Sequence, residues 1–370
     1  MRLLWITGRR IGSDLAARTE IELAKGLISM GVSLTLICPG EEEVVSKALP
    51  RDTDYVTIEQ STIPGMKTIS AGLRIASIIR NLNTEYDYCL IDWRLVNFCE
   101  KGLERIGLKW AAIDRGPPAF RGILPKIQKI MWRKNWNIAN KKSDLGFVVS
   151  EEHAKLVREK TGFNQDLIFL NAGVPKNWLE SAAAKEPIDE IIFCYSGALD
   201  RKRGIDGLIS LSDKMGHLPI PGRIIVIGDG DFSSELIRAG EKIDNIDYLG
   251  KITQLSEVER IMDTCHVGIM PMPDIEIWRI SSAIKLPEYL SKGMVIIGPD
   301  HLGNRRGNEQ FYKLSKKDWI SEGINEVTNL YKSGKWAEVS QAAVDSAESM
   351  TWEQEAKKIV RALEKRLPYH

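Results

Sequence analysis

Short apolar runs alternate with longer amphipathic stretches from the first residue onward, the pattern of parallel sheets covered by helices. Runs at 3–6, 32–38, 88–92, 110–113, 147–149 and 167–170 predict strands, and 14–30 predicts a helix between the first two. Residues 179–187 then interrupt the alternation with Ser-Ala-Ala-Ala-Lys-Glu-Pro, small and charged side chains of the kind that join domains. The pattern restarts at 191–195 and continues at 223–227, 246–249, 267–270 and 294–297, with helical stretches such as 257–264 between. Near the end, Trp352, Ala356, Ile359, Val360 and Leu363 recur at helical spacing. The expectation is an α/β chain of two doubly wound halves, 1–178 and 188–350, followed by an amphipathic helix within 351–370. Strand carboxyl ends and helix amino termini would line a cleft between such halves, a place suited to a phosphorylated ligand.

Composition narrows the possibilities. A length of 370 residues allows two domains, each with its own core, and 51 Lys+Arg against 50 Asp+Glu supplies no phosphate-seeking field, so a generic nucleic-acid binder is disfavoured. The longest charge-free stretch, 26–40, is shorter than the ~18 apolar residues a membrane span needs. The apolar run 3–6 is too short for a signal-peptide core. Cys38, Cys89, Cys99, Cys194 and Cys265 are odd in number and lack Cys-x-x-Cys spacing, which favours neither a disulfide framework nor zinc, and the cytoplasm is the economical compartment. The five histidines are scattered, none four residues from another, and no metal or other cofactor is expected.

Three glycine-containing turns of the second half follow strand candidates directly. Tyr195-Ser196-Gly197-Ala198-Leu199-Asp200-Arg201-Lys202-Arg203-Gly204 ends a strand, gathers three cations and leads into a helix near Ile205. Backbone N–H groups there, with Arg203 or Arg201, suit a diphosphate; a solvated basic turn is the alternative. The turn Gly228-Asp229-Gly230-Asp231-Phe232-Ser233 approximates a dinucleotide fingerprint, with Asp247 about 20 residues on, but it lacks the third glycine. Asp229 and Asp231 fit a tight turn better than a metal-holding pair, and Asp52-Thr53-Asp54 has no strand candidate before it. In the third turn, Ser281 and Ser282 are good caps for a short helix starting at Ala283 and Ile284, with Lys285 and, one turn on, Glu288. Pro287 is tolerable in the first turn, where no internal N–H bond is lost. A carboxylate so placed suits a ribose diol; a surface glutamate on an amphipathic helix is the plainer alternative.

Taken together, these segments resemble the retaining nucleotide-sugar glycosyltransferases of family 4, which have the two-domain GT-B fold. Asn171-Ala172-Gly173-Val174-Pro175 is similar to the family's Asn-Gly-Val-Asp segment, and Gly197 to Gly204 to its Gly-Arg-x-x-x-x-Lys-Gly turn. Ile227-Gly228-Asp229-Gly230 resembles Val-Gly-Asp-Gly, and Tyr248-Leu249-Gly250-Lys251-Ile252 resembles the stretch whose backbone reads the nucleobase. Ser282 to Gly293 resembles the Ser-Pro-x-Lys-x-x-Glu-Tyr-x-x-x-Gly donor motif. The resemblance implies Arg203 on the donor diphosphate, Glu288 on the ribose, Lys285 near the phosphates or the sugar, and a closing helix around Trp352 that crosses back onto the first domain.

The departures are specific. Ala198 stands where an arginine is usual, which would leave Arg201, Lys202 or Arg279 to assist. Ile280 replaces the first of two glutamates eight apart, with Asp274 or Glu276 as substitutes from the preceding loop. Asp114 replaces a histidine near the transferred sugar, and the paired-glycine loop after the first strand, including Gly12, reads Gly8-Arg9-Arg10-Ile11-Gly12. The resemblance implies transfer of a sugar from a nucleotide diphosphate, with retention and without a metal, to a glycan or lipid-linked acceptor. An epimerase and a binding protein without turnover are the alternatives. Arg9, Arg10, Arg115 and Arg121 on the expected acceptor side point to an anionic acceptor. Residues 123–142 place Ile127, Ile130, Met131, Trp132 and Trp136 among Lys126, Lys129, Arg133, Lys134, Lys141 and Lys142, which suits either peripheral membrane contact or, preferably, an ordinary helix covering the first sheet.

Overall fold

The structure, a computed structural model, describes residues 1–14, 17–63, 65–82, 86–118, 123–305, 312 and 314–367. It has two compact units, Met1–Asn171 with Trp352–His370, and Ala172–Thr351. The first is built on β1 (Arg2–Ile6), β2 (Ser33–Pro39), β3 (Thr53–Ile58), β4 (Tyr88–Asp92), β5 (Trp110–Ile113), β6 (Leu145–Val148) and β7 (Asp166–Phe169), in the order β3-β2-β1-β4-β5-β6-β7. Every pairing is parallel, with Leu3 opposite both Leu34 and Tyr88. The central strands read as unbroken apolar runs because helices cover both faces of the sheet, and Leu3 to Ile6 are fully buried.

The strand β3 has no counterpart in the sequence reading. Thr53-Asp54-Tyr55-Val56-Thr57-Ile58 lies at the sheet edge with alternating exposure, so it lacks the apolar run that marks a central strand, and Asp54 lies within it.

The helix Ile123–Lys142 buries Trp132, Trp136 and Ala139 in the first core while Ile127 and Ile130 remain exposed. The closing helix, Trp352–Glu364, packs on the helix Arg18–Ser29: a Cβ on Gly26 would fall 2.7 Å from the Ala356 Cβ, so glycine permits the close approach. Trp352, Ala356, Ile359 and Leu363 form its buried stripe.

The second unit contains β8 (Ile191–Ser196), β9 (Gly222–Ile227), β10 (Ile246–Gly250), β11 (Val267–Ile269) and β12 (Val295–Ile297), all parallel, in the order β10-β9-β8-β11-β12. The junction expected within 179–187 lies instead at Asn171/Ala172, and 179–187 belongs to the second unit. Within it Ser181, Ala183 and Ala184 are exposed, and Lys185 is the anchor. Lys185 Nζ donates to the carbonyls of Met262, Asp263 and Cys265 at 2.9, 3.0 and 2.8 Å. Just before it, Trp178 is buried beneath the Lys292 ammonium, which also pairs with Glu259 at 2.8 Å. Val174 bridges Thr351 in parallel, both within the second unit. Among the described residues no helix is long and apolar enough to cross a membrane.

Candidate functional site

In the second unit, three turns meet at the carboxyl ends of neighbouring strands. The last residue of β8, Ser196, donates its N–H to the buried Tyr289 Oη at 3.0 Å. Gly197 follows with φ 141°, and a Cβ there would fall 2.6 Å from Lys285 Nζ, so the missing side chain is the space the lysine occupies. Gly228, at φ 148°, packs so closely that a Cβ would lie 1.9 Å from the Gly197 carbonyl oxygen. A Cβ on Gly230 would lie 2.4 Å from the Leu199 carbonyl oxygen, and the Gly228 N–H donates to the Gly250 carbonyl at 2.8 Å. The turn continues into exposed Lys251 and half-buried Ile252. Asp229 accepts from Gly230 N–H and Ser233 Oγ, and Asp231 from Arg201 N–H at 3.0 Å, so these carboxylates tie the turns together. Among the described residues no three His, Cys, Asp or Glu side chains gather as metal ligands.

The cations of the first turn have different fates. Arg201 pairs with Glu235 and lies over the Phe232 ring. The Lys202 carbonyl accepts from Trp278 Nε1 at 3.2 Å. The Arg203 guanidinium stacks 4.9 Å above the Trp278 ring, and its Nε is buried with no hydrogen-bond partner among the described residues. Lys285, 8 % exposed, sits 4.9 Å over the Tyr195 ring. Burial pushes its ammonium down to about 7; the Arg203 charge adds to that and the Glu288 charge opposes it. Arg203, Lys285 and Glu288, the last 3 % exposed, therefore form one electrostatic group beside Gly197.

The serines do not cap as expected. The helix is Lys285–Ser291, with Ile284 at its cap position and no side-chain cap. Ser281 Oγ turns back to the Trp278 carbonyl at 2.7 Å, closing the short helix Glu276–Arg279, and Ser282 Oγ accepts the Ala172 N–H at 2.7 Å. Ala283 packs against the apolar cluster beneath. Arg279 and Lys316 both pair with Asp274, Glu276 is exposed, and Ile280 is buried.

In the first unit, Asp114 follows β5 and is fully buried. Its Oδ2 accepts Trp132 Nε1–H at 2.7 Å and Trp136 Nε1–H at 3.0 Å, its Oδ1 accepts Gly116 N–H at 2.8 Å, and His153 Nε2 lies 3.4 Å away. Burial alone would raise the carboxyl; the imidazole and these donors outweigh it and hold Asp114 at about 2. This saturated carboxylate fastens two helices to the sheet and offers no oxygen to solvent. Gly12, at φ 77°, turns the chain against Val44. Arg9 pairs with Glu20, Arg10 with Glu41, and Arg115 donates to the Leu170 carbonyl; Arg121 lies outside the described residues. The sequence reading passed over Glu20, Asp92 and Arg94, which meet Arg9 and Thr7 at the end of β1; the local signal was a charged residue at the last position of an apolar run, Asp92.

No protein-family model matches the sequence, and no curated protein matches it. Solved structures do. The sucrose-phosphate synthase of Thermosynechococcus elongatus aligns over 99% of both chains with a TM-score of 0.76 at 13% identity. Anabaena HepE in complex with UDP-glucose aligns over 99% of this chain and 100% of its own, TM-score 0.71, 12% identity. The trehalose-6-phosphate synthase OtsA aligns over 100% of both, TM-score 0.72, 12% identity. The chain has the GT-B fold.

Within that fold the two departures from the resembled motifs have local consequences. Ala198 brings no cation of its own; Lys285 sits against Gly197 over the Tyr195 ring, whose Oη donates to the Ala198 carbonyl at 2.8 Å, and the Arg203 charge reaches that lysine. Ile280 is buried, and its side chain brings no hydroxyl-binding group.

Proposed function

We propose that this protein transfers a sugar from a nucleotide-diphosphate donor to a glycan or (glyco)lipid acceptor, with retention of configuration and without a metal ion. The observation that carries the reading is the grouping of Arg203, Lys285 and Glu288 beside Gly197 at the carboxyl ends of the second sheet. Arg203 and Lys285 would take the diphosphate and stabilise the charge it gains on departure; Glu288 would hold the ribose hydroxyls. The bond from the anomeric carbon to the diphosphate breaks, the acceptor oxygen forms the new bond on the same face, and its proton passes to the departing diphosphate oxygen. HepE, a GT-B structure with UDP-glucose bound, supports the donor class. Ala198 and Ile280 favour a second reading, a sugar-nucleotide binder without turnover; slow hydrolysis of the donor in the absence of acceptor separates the two.

Binding should report on Lys285. Its ammonium is half-protonated near pH 7 in the empty site, and an adjacent diphosphate raises its affinity for the proton, so binding takes up a proton and tightens as pH falls from 8 to 6. The test is a thermal-shift panel of nucleotide sugars, whose diphosphate diesters do not titrate in that range, with chelator present. One nucleotide sugar should stabilise the wild type more at pH 6 than at pH 8, and Lys285→Met should remove the difference. A panel with no stabilising compound overturns the donor site, and stabilisation only without chelator overturns metal independence.

The outer face of the helix Ile123–Lys142 suits peripheral contact with an anionic membrane. Ile127 and Ile130 project among Lys126, Lys129, Arg133 and Lys134, and a shallow hollow of about 440 Å³ runs along Ile130, Arg133, Lys134, Asn137, Ile138 and Lys141. The protein should float with vesicles containing anionic lipid, and the double variant Ile127→Glu, Ile130→Glu should remain at the bottom. Wild-type protein that stays at the bottom reduces the helix to a cover for its sheet.

A further inference from the structure

We propose that Glu20, with Arg9 and Arg94, forms a site at the switch point of the first sheet for a sugar bearing one negative charge, and that this ligand binds together with a proton held on Glu20. Strands β1 and β4 are neighbours, but the chain leaving β1 runs through the helix Arg18–Ser29 to β2 on one side, and the chain leaving β4 runs through the helix Val96–Arg105 to β5 on the other. Loops that diverge in this way leave a crevice at the strand carboxyl ends. Thr7 and Arg9 enter it from β1, Asp92 and Arg94 from β4, and Glu20 from the first turn of the following helix.

Glu20 is 4 % exposed. Its Oε1 accepts Thr7 Oγ1–H at 3.0 Å and faces Arg9 Nε at 3.3 Å, while its Oε2 is buried with no hydrogen-bond partner among the described residues. A bare buried carboxylate oxygen is costly, and a purely structural carboxylate is saturated, as Asp114 is in the same unit. The two acids are accordingly driven apart. Burial raises Glu20 to about 7, Arg9 opposing and Asp92 adding to the rise, whereas Asp114 is held at about 2.

The charges decide the ligand. Arg94 Nη1 contacts both Asp92 oxygens, at 3.2 and 3.0 Å, with a third of its side chain still exposed, and Arg9 is 19 % exposed. Arg9, Arg94 and Asp92 sum to one positive charge, which ionised Glu20 cancels and protonated Glu20 leaves in place. Of the remaining neighbours, Thr7 and the buried Cys38 thiol on β2 are neutral, and Asp114, whose charge Arg94 also feels, is closed to solvent among its own indole, amide and imidazole partners. An anion therefore selects the protonated acid through the charge it leaves uncancelled. That the anion is a sugar rests on the transferase reading; its charge and the linked proton rest on this cluster alone.

The probe is glucuronate, whose carboxylate does not titrate near neutrality, with glucose as the neutral control. Titration calorimetry on the full chain at pH 6 and pH 8, in buffers of different ionisation heat, should show glucuronate binding at least tenfold tighter than glucose at pH 6. Its affinity should fall about tenfold by pH 8, and protons should be taken up near pH 7. Glu20→Gln, which imitates the protonated acid, should bind glucuronate equally at both pH values with no proton uptake. Equal affinity for glucose and glucuronate, no binding of either, or pH dependence that survives Glu20→Gln overturns the proposal. Should that variant fail to fold, the wild-type proton count decides alone. A wild type that binds glucuronate with proton uptake yet is not stabilised by any nucleotide sugar keeps this site and loses the transferase reading.

Discussion

On the proposed function, Arg203→Ala should lower turnover of the nucleotide sugar at least about a hundredfold, the scale on which a single preorganised donor to a developing oxyanion acts. The guanidinium lies 4.9 Å from the Trp278 ring centre, and its buried Nε lacks a partner among the described residues, so the group can take an anion. The loss should fall mainly on kcat, because the charge on the diphosphate grows as the sugar leaves. A second signature separates this role from a structural one. Arg203 contributes to the depression of Lys285, so its removal lets the lysine stay protonated to higher pH, and the alkaline limb of the remaining activity should move upward. Glu288→Ala should cost as much through loss of the ribose contact. Saturating-donor turnover with pH profiles for both variants is the measurement, and near-normal rates in both would remove the donor site from this region.

How much of this was legible depends on whether the determining interaction is local. The central strands 88–92 and 110–113 are found where the apolar runs place them, because a strand covered on both faces has to be apolar throughout. Edge strand β3 is half wet, and its alternating Asp54, Val56 and Thr57 resemble a loop. Gly197, Gly228 and Lys285 were marked by turn chemistry and by resemblance, and the structure supplies the reason two of them are glycines: a side chain at either would displace Lys285 or the neighbouring backbone. The serines failed as caps because their partners, the Trp278 and Ala172 backbones, belong to segments the cap rule does not consult. Glu20 was invisible for the same reason: in sequence it is an ordinary first-turn acid, and only strands brought together from 85 residues apart bury it beside Asp92.

Asp114→Ala should cost the first unit about 3–5 kcal/mol, the usual penalty for removing one partner of a buried charged group. The variant strands two indole N–H groups and His153 in a core closed to water, and it loosens the helices Ile123–Lys142 and Glu151–Thr161 from β5. Asp114→Asn keeps one acceptor oxygen and should lose less, about 1–3 kcal/mol. The pH dependence fixes the cause. The folded-state carboxyl lies at about 2, below its unfolded value, so its contribution is fully present above pH 4 and disappears as pH falls toward 2. Wild-type protein should therefore lose stability steeply across that interval, and both variants should show a shallower slope there. Denaturant melts of the three proteins at pH 7 and across the acid range test this. Parallel slopes would mean that Asp114 holds the helices by shape rather than by charge. If the Asn variant retained full stability while donor turnover collapsed, the residue would act on substrate, and the clamp built from Trp132, Trp136 and His153 would be incidental to it.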